Sequence, residues 1–427
     1  MNEEIKGRLE QIRRGEIPDG YKRTRAGIIP NNWKVTRLRD SGRKCLKKNT
    51  DFKIRLVFSN SAQNGIIPQE EQFDKSIANK EHIDGYYIVN PGDFVYNPRI
   101  SVTAPCGPIN RNETGETGIV SPLYTVFTVD FPKADNAYLK HYFKSSHWFQ
   151  YMKGVANYGV RHDRMNISDA DFFAMPFPTP TIAEQQKIAE ILSTQDSVIE
   201  LKERLVTEKL RQKKYLMQRL LTGKQRLPGF HGRWNAHSLC DITERRTTRN
   251  IAQCDRVLTI SGQYGLIEQW SFFDKTVASA DKSNYFFLER DDFAYNKSRS
   301  TGYPFGAIKR LKKYDTGIVS PLYICFRISS QLVTAEYMEH YFEANLINQE
   351  IKFIAQEGAR NHGLLNIGVD DFFNLKVYLP PVDEQMAIAD ILSAADREIE
   401  LLRASLEQEK RKKKALSQLL LTGIVRV

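Results

Sequence analysis

The chain has 427 residues, 41% hydrophobic and 11% aromatic, which is enough to fill cores in two or three domains and excludes wholesale disorder. No apolar run approaches the roughly 20 residues of a membrane-spanning helix, and the opening MNEEIKGRLEQIRRG has no apolar signal core, so a soluble, cytoplasmic protein is expected. Its 62 Lys+Arg against 51 Asp+Glu leave a formal charge of +11 and a pI near 9.2, compatible with a polyanionic partner without demanding one.

Residues 1–20 read as an N-terminal helix or arm, with Ile5, Leu9 and Ile12 on one face and Gly15 after it. Residues 21–180 follow as a first globular block, opened by Ile29-Pro30-Asn31-Asn32-Trp33. Within it YYIV, FVYN and IVSPLYTVFTV are β-rich, and Asn136 to Lys153 reads as an amphipathic helix. Residues 181–226 form a long helical segment, TIAEQQKIAEILSTQDSVIELKERLVTEKLRQKKYLMQRLLTG, running to Gly223. Thr181 with Glu184 suits a capping box, and Gly223 a left-handed C-terminal cap. About 40 residues at 1.5 Å each make a rod of roughly 60 Å.

Everything then repeats. The segment Thr181–Gly223 returns without a gap at Pro381–Gly423, 200 residues on, within a final helical segment 381–427. Residues 227–380 duplicate the first block: Trp33 pairs with Trp234, SAQNGII at Ser61 with SGQYGLI at Ser261, and FDKSIA at Phe73 with FDKTVA at Phe273. DFVYN at Asp93 pairs with DFAYN at Asp292, TGIVSPLY at Thr117 with its identical copy at Thr316, and YLKHYF at Tyr138 with YMEHYF at Tyr337. A repeat this long is one architectural unit used twice. The expected fold is α/β (α+β), with two similar globular domains separated by two long helices that form an antiparallel coiled coil, pseudo-two-fold symmetric. Because LLTGIVRV at the end matches LLTGKQRL at Leu220 to Leu227, the sequence behaves as a ring cut open, and its two ends should lie near each other. Alternating steps of four and three place Ile188, Leu192, Ile199, Leu216 and Leu220 on one helix seam and Ile388, Leu392, Ile399, Leu416 and Leu420 on the other. Gln195 and Lys202 interrupt the first seam, and pairing the two copies is the economical way to bury both.

Catalytic signatures are missing: there is no GxxxxGK[ST], no strand-linked GxGxxG, no NPP[FY] or DPPY, no HExxH and no GxSxG. Five scattered cysteines, none in Cys-x-x-Cys, give no zinc spacing and no disulfide framework. No metal site is expected, and His141 and His340, at matching helix positions, suit packing better than catalysis. What remains is recognition chemistry at matching loop positions. In the first block these are Gln63, Asn64, Asn97, Arg99, Tyr158, Arg161, His162 and Arg164. In the second they are Gln263, Tyr264, Asn296, Lys297, Arg299, Arg360, Asn361 and His362. Amides pair bidentately with adenine and Arg with guanine, while neighbouring cations hold phosphates.

This organisation resembles the DNA-specificity subunit of type I restriction–modification enzymes. The resemblance is carried by EQQKIAEILS and EQMAIADILS opening the helices, LMQRLLTGKQRLPGF and LSQLLLTG closing them, the GxR-containing end of each block, and GYKRTRAGIIPNNWKVTRL at Gly20. It implies two target-recognition domains, each reading half of a bipartite double-stranded DNA site. The helices would be spacers that dock two modification (methyltransferase) subunits carrying adenine-N6 chemistry, with restriction (nuclease/translocase) subunits joining them. No cofactor would be bound by this chain; S-adenosylmethionine, ATP and Mg2+ would sit on the partner subunits. The chain would be non-catalytic by itself. The reading from a different class is a coiled-coil scaffold linking two protein-binding modules.

Overall fold

In the computed structural model, residues 3–72, 83–157, 163–251, 253–262, 264–270, 281–357 and 363–427 are described. The chain divides into two compact units, Met1–Lys202 with Ser405–Val427, and Glu203–Ala404.

The first unit is built on a four-stranded antiparallel sheet, in the order Gly42–Lys44, Thr125–Val129, Phe94–Tyr96, Ile109–Arg111. Strand alternation decides what it covers. Phe94, Tyr96 and Phe127 point into an aromatic core with Trp33, Tyr138, Phe143 and Phe172, while Val95 and Val126 point the other way, into a smaller cluster with Phe58 and Val120. Among the described residues this unit also holds four two-stranded pairs: Phe58–Ser61 with Gly65–Pro68, Tyr87–Val89 with Gly118–Val120, Lys34–Arg37 with Pro176–Thr179, and Tyr21–Thr24 with Gly27–Pro30. Gly118 is required where it stands, because a Cβ there would lie 2.3 Å from the Phe58 ring.

The second unit repeats the plan. Its sheet runs Thr243–Arg245, Ile324–Ile328, Phe293–Asn296, Ala307–Arg310. Phe293, Tyr295 and Phe326 enter the large core, and Ala294 and Cys325 the small one. Gly317 stands where Gly118 does, 2.4 Å from Leu258 by the same measure. The β-rich runs read from sequence are therefore strands, in an order that periodicity left open.

Helical lengths differ from expectation in one place. The segment 136–153 is two helices, Asn136–Phe143 and Phe149–Val155, and its copy is Ala335–Glu343 and Asn348–Ile354. The break lies where Ser145 Oγ donates to the Tyr142 carbonyl (2.6 Å) and Trp148 Nε1 to that of Phe143 (3.0 Å). In the copy, Asn345 adopts φ +58°. Local side-chain bonds of this kind compete with the helix ladder.

The long helices run Ile182–Leu220 and Val382–Leu421 and end in left-handed Gly223 (φ +68°) and Gly423 (φ +70°). In the first unit the beginning of one packs antiparallel on the end of the other, with Gln195 and Lys202 both meeting Glu409. In the second unit Lys209 meets Glu398 and Lys213 meets Asp396, again antiparallel. The seam residues are spent within each unit: Ile188, Leu192 and Leu420 belong to the first core and Leu220, Ile388 and Leu392 to the second, with Leu416 and Leu216 packed against them. Ile399 is buried and Ile199 half-buried. The polar interruptions are satisfied by each other: Glu409 accepts from Gln195 Nε2 (2.8 Å) and Lys202 Nζ (3.0 Å).

Residues near the two ends of the sequence meet, as the repeat implies. Arg8 donates to the Ile424 carbonyl (3.1 Å), Tyr21 Oη to that of Gly423 (2.8 Å), and Arg426 to Asn32 Oδ1 (2.9 Å).

Candidate nucleic-acid interface

Each helix start explains its own sequence motif. The Glu184 carboxylate accepts from Trp33 Nε1 (3.1 Å) and from the Arg426 guanidinium, whose Nη2 lies 2.9 Å away and which covers the Trp33 ring. In the second unit Glu384 accepts from Trp234 Nε1 (3.3 Å) and bidentately from Arg226 (2.6 Å each), which covers the Trp234 ring. The expected capping box is thus half made. Thr181 Oγ1 accepts the Glu184 N–H (3.3 Å), while the Glu184 carboxylate turns to tryptophan and arginine. Gln185 and Gln385 each donate to the proline carbonyl before the helix and accept a backbone N–H from the globular block, at Asp135 and Thr334.

The matched histidines do packing work. Ser193 Oγ lies 3.0 Å from His141 Nε2 and Ser393 Oγ 3.0 Å from His340 Nε2, with Asp196 and Asp396 at 3.8 and 3.9 Å from the other ring nitrogen. Burial outweighs the nearby carboxylate and holds His141 down to about 4; His340 is lowered for the same reason. Both rings are neutral near pH 7.

These contacts frame, in each unit, the loops that carry the expected recognition residues. In the first unit a cleft of about 220 Å³ brings together Asn97, Arg99 and Arg164 with Tyr124 and Leu123. The backbones of Arg99 and Arg164 form a β-bridge, and both guanidinium groups stand at 3.8–3.9 Å from Asp163, exposed enough to be redirected. Asn97 is already engaged: its amide donates to the Asn60 carbonyl and Tyr124 Oη (3.2 Å each), and its oxygen accepts the Arg99 N–H (3.0 Å). It positions Arg99. Tyr124, which closes the string TGIVSPLY, also lines this cleft, a placement the sequence does not signal. Gln63 and Asn64 lie elsewhere, exposed at a hairpin tip whose N–H groups Ser61 Oγ accepts, on the rim of a second cavity.

In the second unit Asn296 Oδ1 accepts the Ser298 N–H (3.1 Å), as Asn97 does for Arg99. The bridge that equals Arg99–Arg164 is Ser298–Leu364. The structural counterpart of Arg99 is therefore Ser298, not Lys297 or Arg299. Lys297 is half-buried and its ammonium is pushed down by desolvation, Arg299 is exposed, and Tyr264 is exposed at the hairpin tip. Tyr158, Arg161, His162, Gln263, Arg360, Asn361 and His362 lie outside the described residues, as do the FDKSIA and FDKTVA strings.

The family model for the type I restriction modification DNA specificity domain matches residues 30–210 and 279–410. The chain belongs to this family. Among its relatives is the type I restriction enzyme MjaX specificity subunit of Methanocaldococcus jannaschii, 22% identical, covering 96% of this chain and 97% of the relative. The MjaVIII specificity subunit of the same organism is 24% identical, covering 96% of each. The fold is that of the type I restriction–modification S subunit from M. genitalium, with a TM-score of 0.52 at 13% identity over 91% of this chain and 96% of that one.

As a type I DNA-specificity chain, this protein recognises a DNA target and is not itself the catalyst. Among the described residues no group of His, Cys, Asp and Glu could hold a metal ion, and no helix is long and apolar enough to cross a membrane. Cys106 and Cys325 are buried, Cys45 and Cys254 half-buried and Cys240 exposed, all as free thiols.

Proposed function

We propose that each unit reads one half of a bipartite duplex site, with recognition blocks at 21–180 and 227–380, helical segments at 181–226 and 381–427, and an N-terminal arm at 1–20. The observation that carries this reading is the split between frame and cleft. The Trp–Glu–Arg clamp, the Ser–His pair and the sheet are built twice from equivalent residues, while the cleft side chains differ. In the first unit Arg99 and Arg164 contact base edges or phosphates, joined by the GxR residue Arg161 and its neighbours Tyr158 and His162. In the second the contacts come from Tyr264, Lys297 and Arg299, with Gln263, Arg360, Asn361 and His362.

The outward faces of the helix segments dock two modification subunits, and restriction subunits complete the assembly. Those partners hold S-adenosylmethionine, ATP and Mg2+ and perform adenine-N6 methylation and cleavage in the cytoplasm. Exposed Leu201 in the first unit, and Leu401 and Tyr215 in the second, suit such docking, since the inward seam is already buried. Methylome sequencing with and without this gene tests the reading. Loss of one bipartite methyladenine motif on deletion is expected; an unchanged methylome rejects it.

A further inference from the structure

The second cavity of the first unit, about 510 Å³, has a cationic wall of Arg111, Lys140, Lys144 and Lys413 facing one lining carboxylate, Glu113. Glu113 is taken by Lys140 (2.7 Å) and stands 4.0 Å from Arg111, whose Nε donates to the Gly92 carbonyl (3.3 Å). Lys413 pairs with Asp196, behind the wall. Lys144 has no ion-pair partner among the described residues. Desolvation and the like charges of Lys140 and Lys413 push its ammonium below the ordinary value, and the carboxylates of Asp196 and Glu113 offset that only in part. A cation without an ion-pair partner and crowded by others is stabilised by a multivalent anion.

The second unit shows what closes such a cavity. Tyr303 stands at the counterpart of Ala104. Its hydroxyl donates to the Gly262 carbonyl (3.0 Å), at the counterpart of Ala62, and its ring packs so closely that a Cβ on Gly262 would lie 2.7 Å from it. Glu343 replaces Lys144 and binds Tyr303 (2.9 Å) and Lys309. Glu339 replaces Lys140 and binds Lys312 (2.9 Å), and Arg310, the counterpart of Arg111, bonds Asp291 (2.9 Å) and Glu336 (2.8 Å). One copy of the position is plugged and neutralised from within; the other is open and positive.

We propose that the open cavity of the first unit is a binding site for a phosphate ester, with Lys144 and Arg111 on the phosphate and the Asn64 amide at the rim. The phosphate belongs either to the DNA backbone or to a free nucleotide. Both are ionised phosphates that Lys and Arg hold by charge-assisted hydrogen bonds, and the cavity is of ordinary small-ligand size.

The test uses the full chain as wild type, Lys144→Glu and Ala104→Tyr, the two residues the second unit carries; Lys144→Glu is a solvent-facing change that keeps the test valid if the tyrosine disturbs folding. One arm titrates inorganic phosphate and AMP by calorimetry. The other measures the salt dependence of binding to a duplex carrying the target, and this arm alone rests on the DNA-reading function. Binding of AMP or phosphate that weakens at least tenfold in both variants assigns the site to a free ligand. A duplex salt slope that falls by about 0.9 per lost phosphate contact in both variants assigns it to the backbone. Variants indistinguishable from wild type in both arms overturn the proposal. A wild type that binds AMP at this site but no duplex leaves the site standing and counts against the DNA reading instead.

Discussion

Trp33–Glu184–Arg426 in the first unit and Trp234–Glu384–Arg226 in the second are one clamp made twice, residue for residue. The bridges Arg99–Arg164 and Ser298–Leu364 share a backbone path and no side-chain chemistry. The difference separates two kinds of constraint. A clamp that buries an indole N–H and a carboxylate has few chemical solutions, so both copies keep it. The cleft is under no such internal constraint, and its side chains differ between the copies.

The comparison can be broken first at the clamp. Glu384→Ala and Glu184→Ala should each destabilise the protein by about 2–3 kcal/mol, by stranding a tryptophan N–H and a charge-assisted arginine pair. Denaturant unfolding should show similar losses for the two. A large loss from one and none from the other would end the claim that the clamps are equivalent.

The seams should respond unequally. Glu409→Ala removes partners from both Gln195 and Lys202 and should give the larger loss of stability. Lys209→Ala, at the equivalent position, removes a pair with half-exposed Glu398 and should cost only about 0.2–0.5 kcal/mol by the same measurement. Equal costs would show that the polar layer of the first unit has no special role.

Acid should act on both units alike. His141 binds its proton more weakly in the folded state (about 4) than in the unfolded chain (6.5), so protonation favours unfolding. That contribution is intact above pH 6.5 and is lost as pH falls from there toward 4, at no more than about 1.4 kcal/mol per pH unit. His340, lowered by burial in the same way, adds to the slope. His141→Gln should flatten the pH dependence of stability between pH 6.5 and 5, and an unchanged slope would assign the acid sensitivity elsewhere.

Much of the fold was legible because each signal occurs twice. A Glu-Gln pair at the start of one helix says little, but its return 200 residues on marks the frame, and the contacts of Glu184 and Gln185 supply the reason. Strand order was not legible, since strands of two to five residues carry too little alternation to choose neighbours. The break after Phe143 was hidden because Ser145 and Trp148 end the helix through side-chain bonds that periodicity does not register. Aligning the copies brings their loops into register without fixing which side chain stands opposite which. Arg99 was matched to Lys297 and Arg299, where the backbone bridge selects Ser298, and Asn97 serves to hold the loop. The contrast between Ala104 and Tyr303 was readable in principle, but its meaning depends on Gly262 and Glu343, distant in sequence.

The central claim is that each unit reads its own half of the target. Its most direct test is the methylome of cells in which the chain carries Arg99→Ala with Arg164→Ala alongside its modification partners. The expected result is a bipartite motif relaxed or changed in one half and unaltered in the other, each lost base contact being worth about 1–3 kcal/mol. A motif changed in both halves, or in neither, would contradict the account.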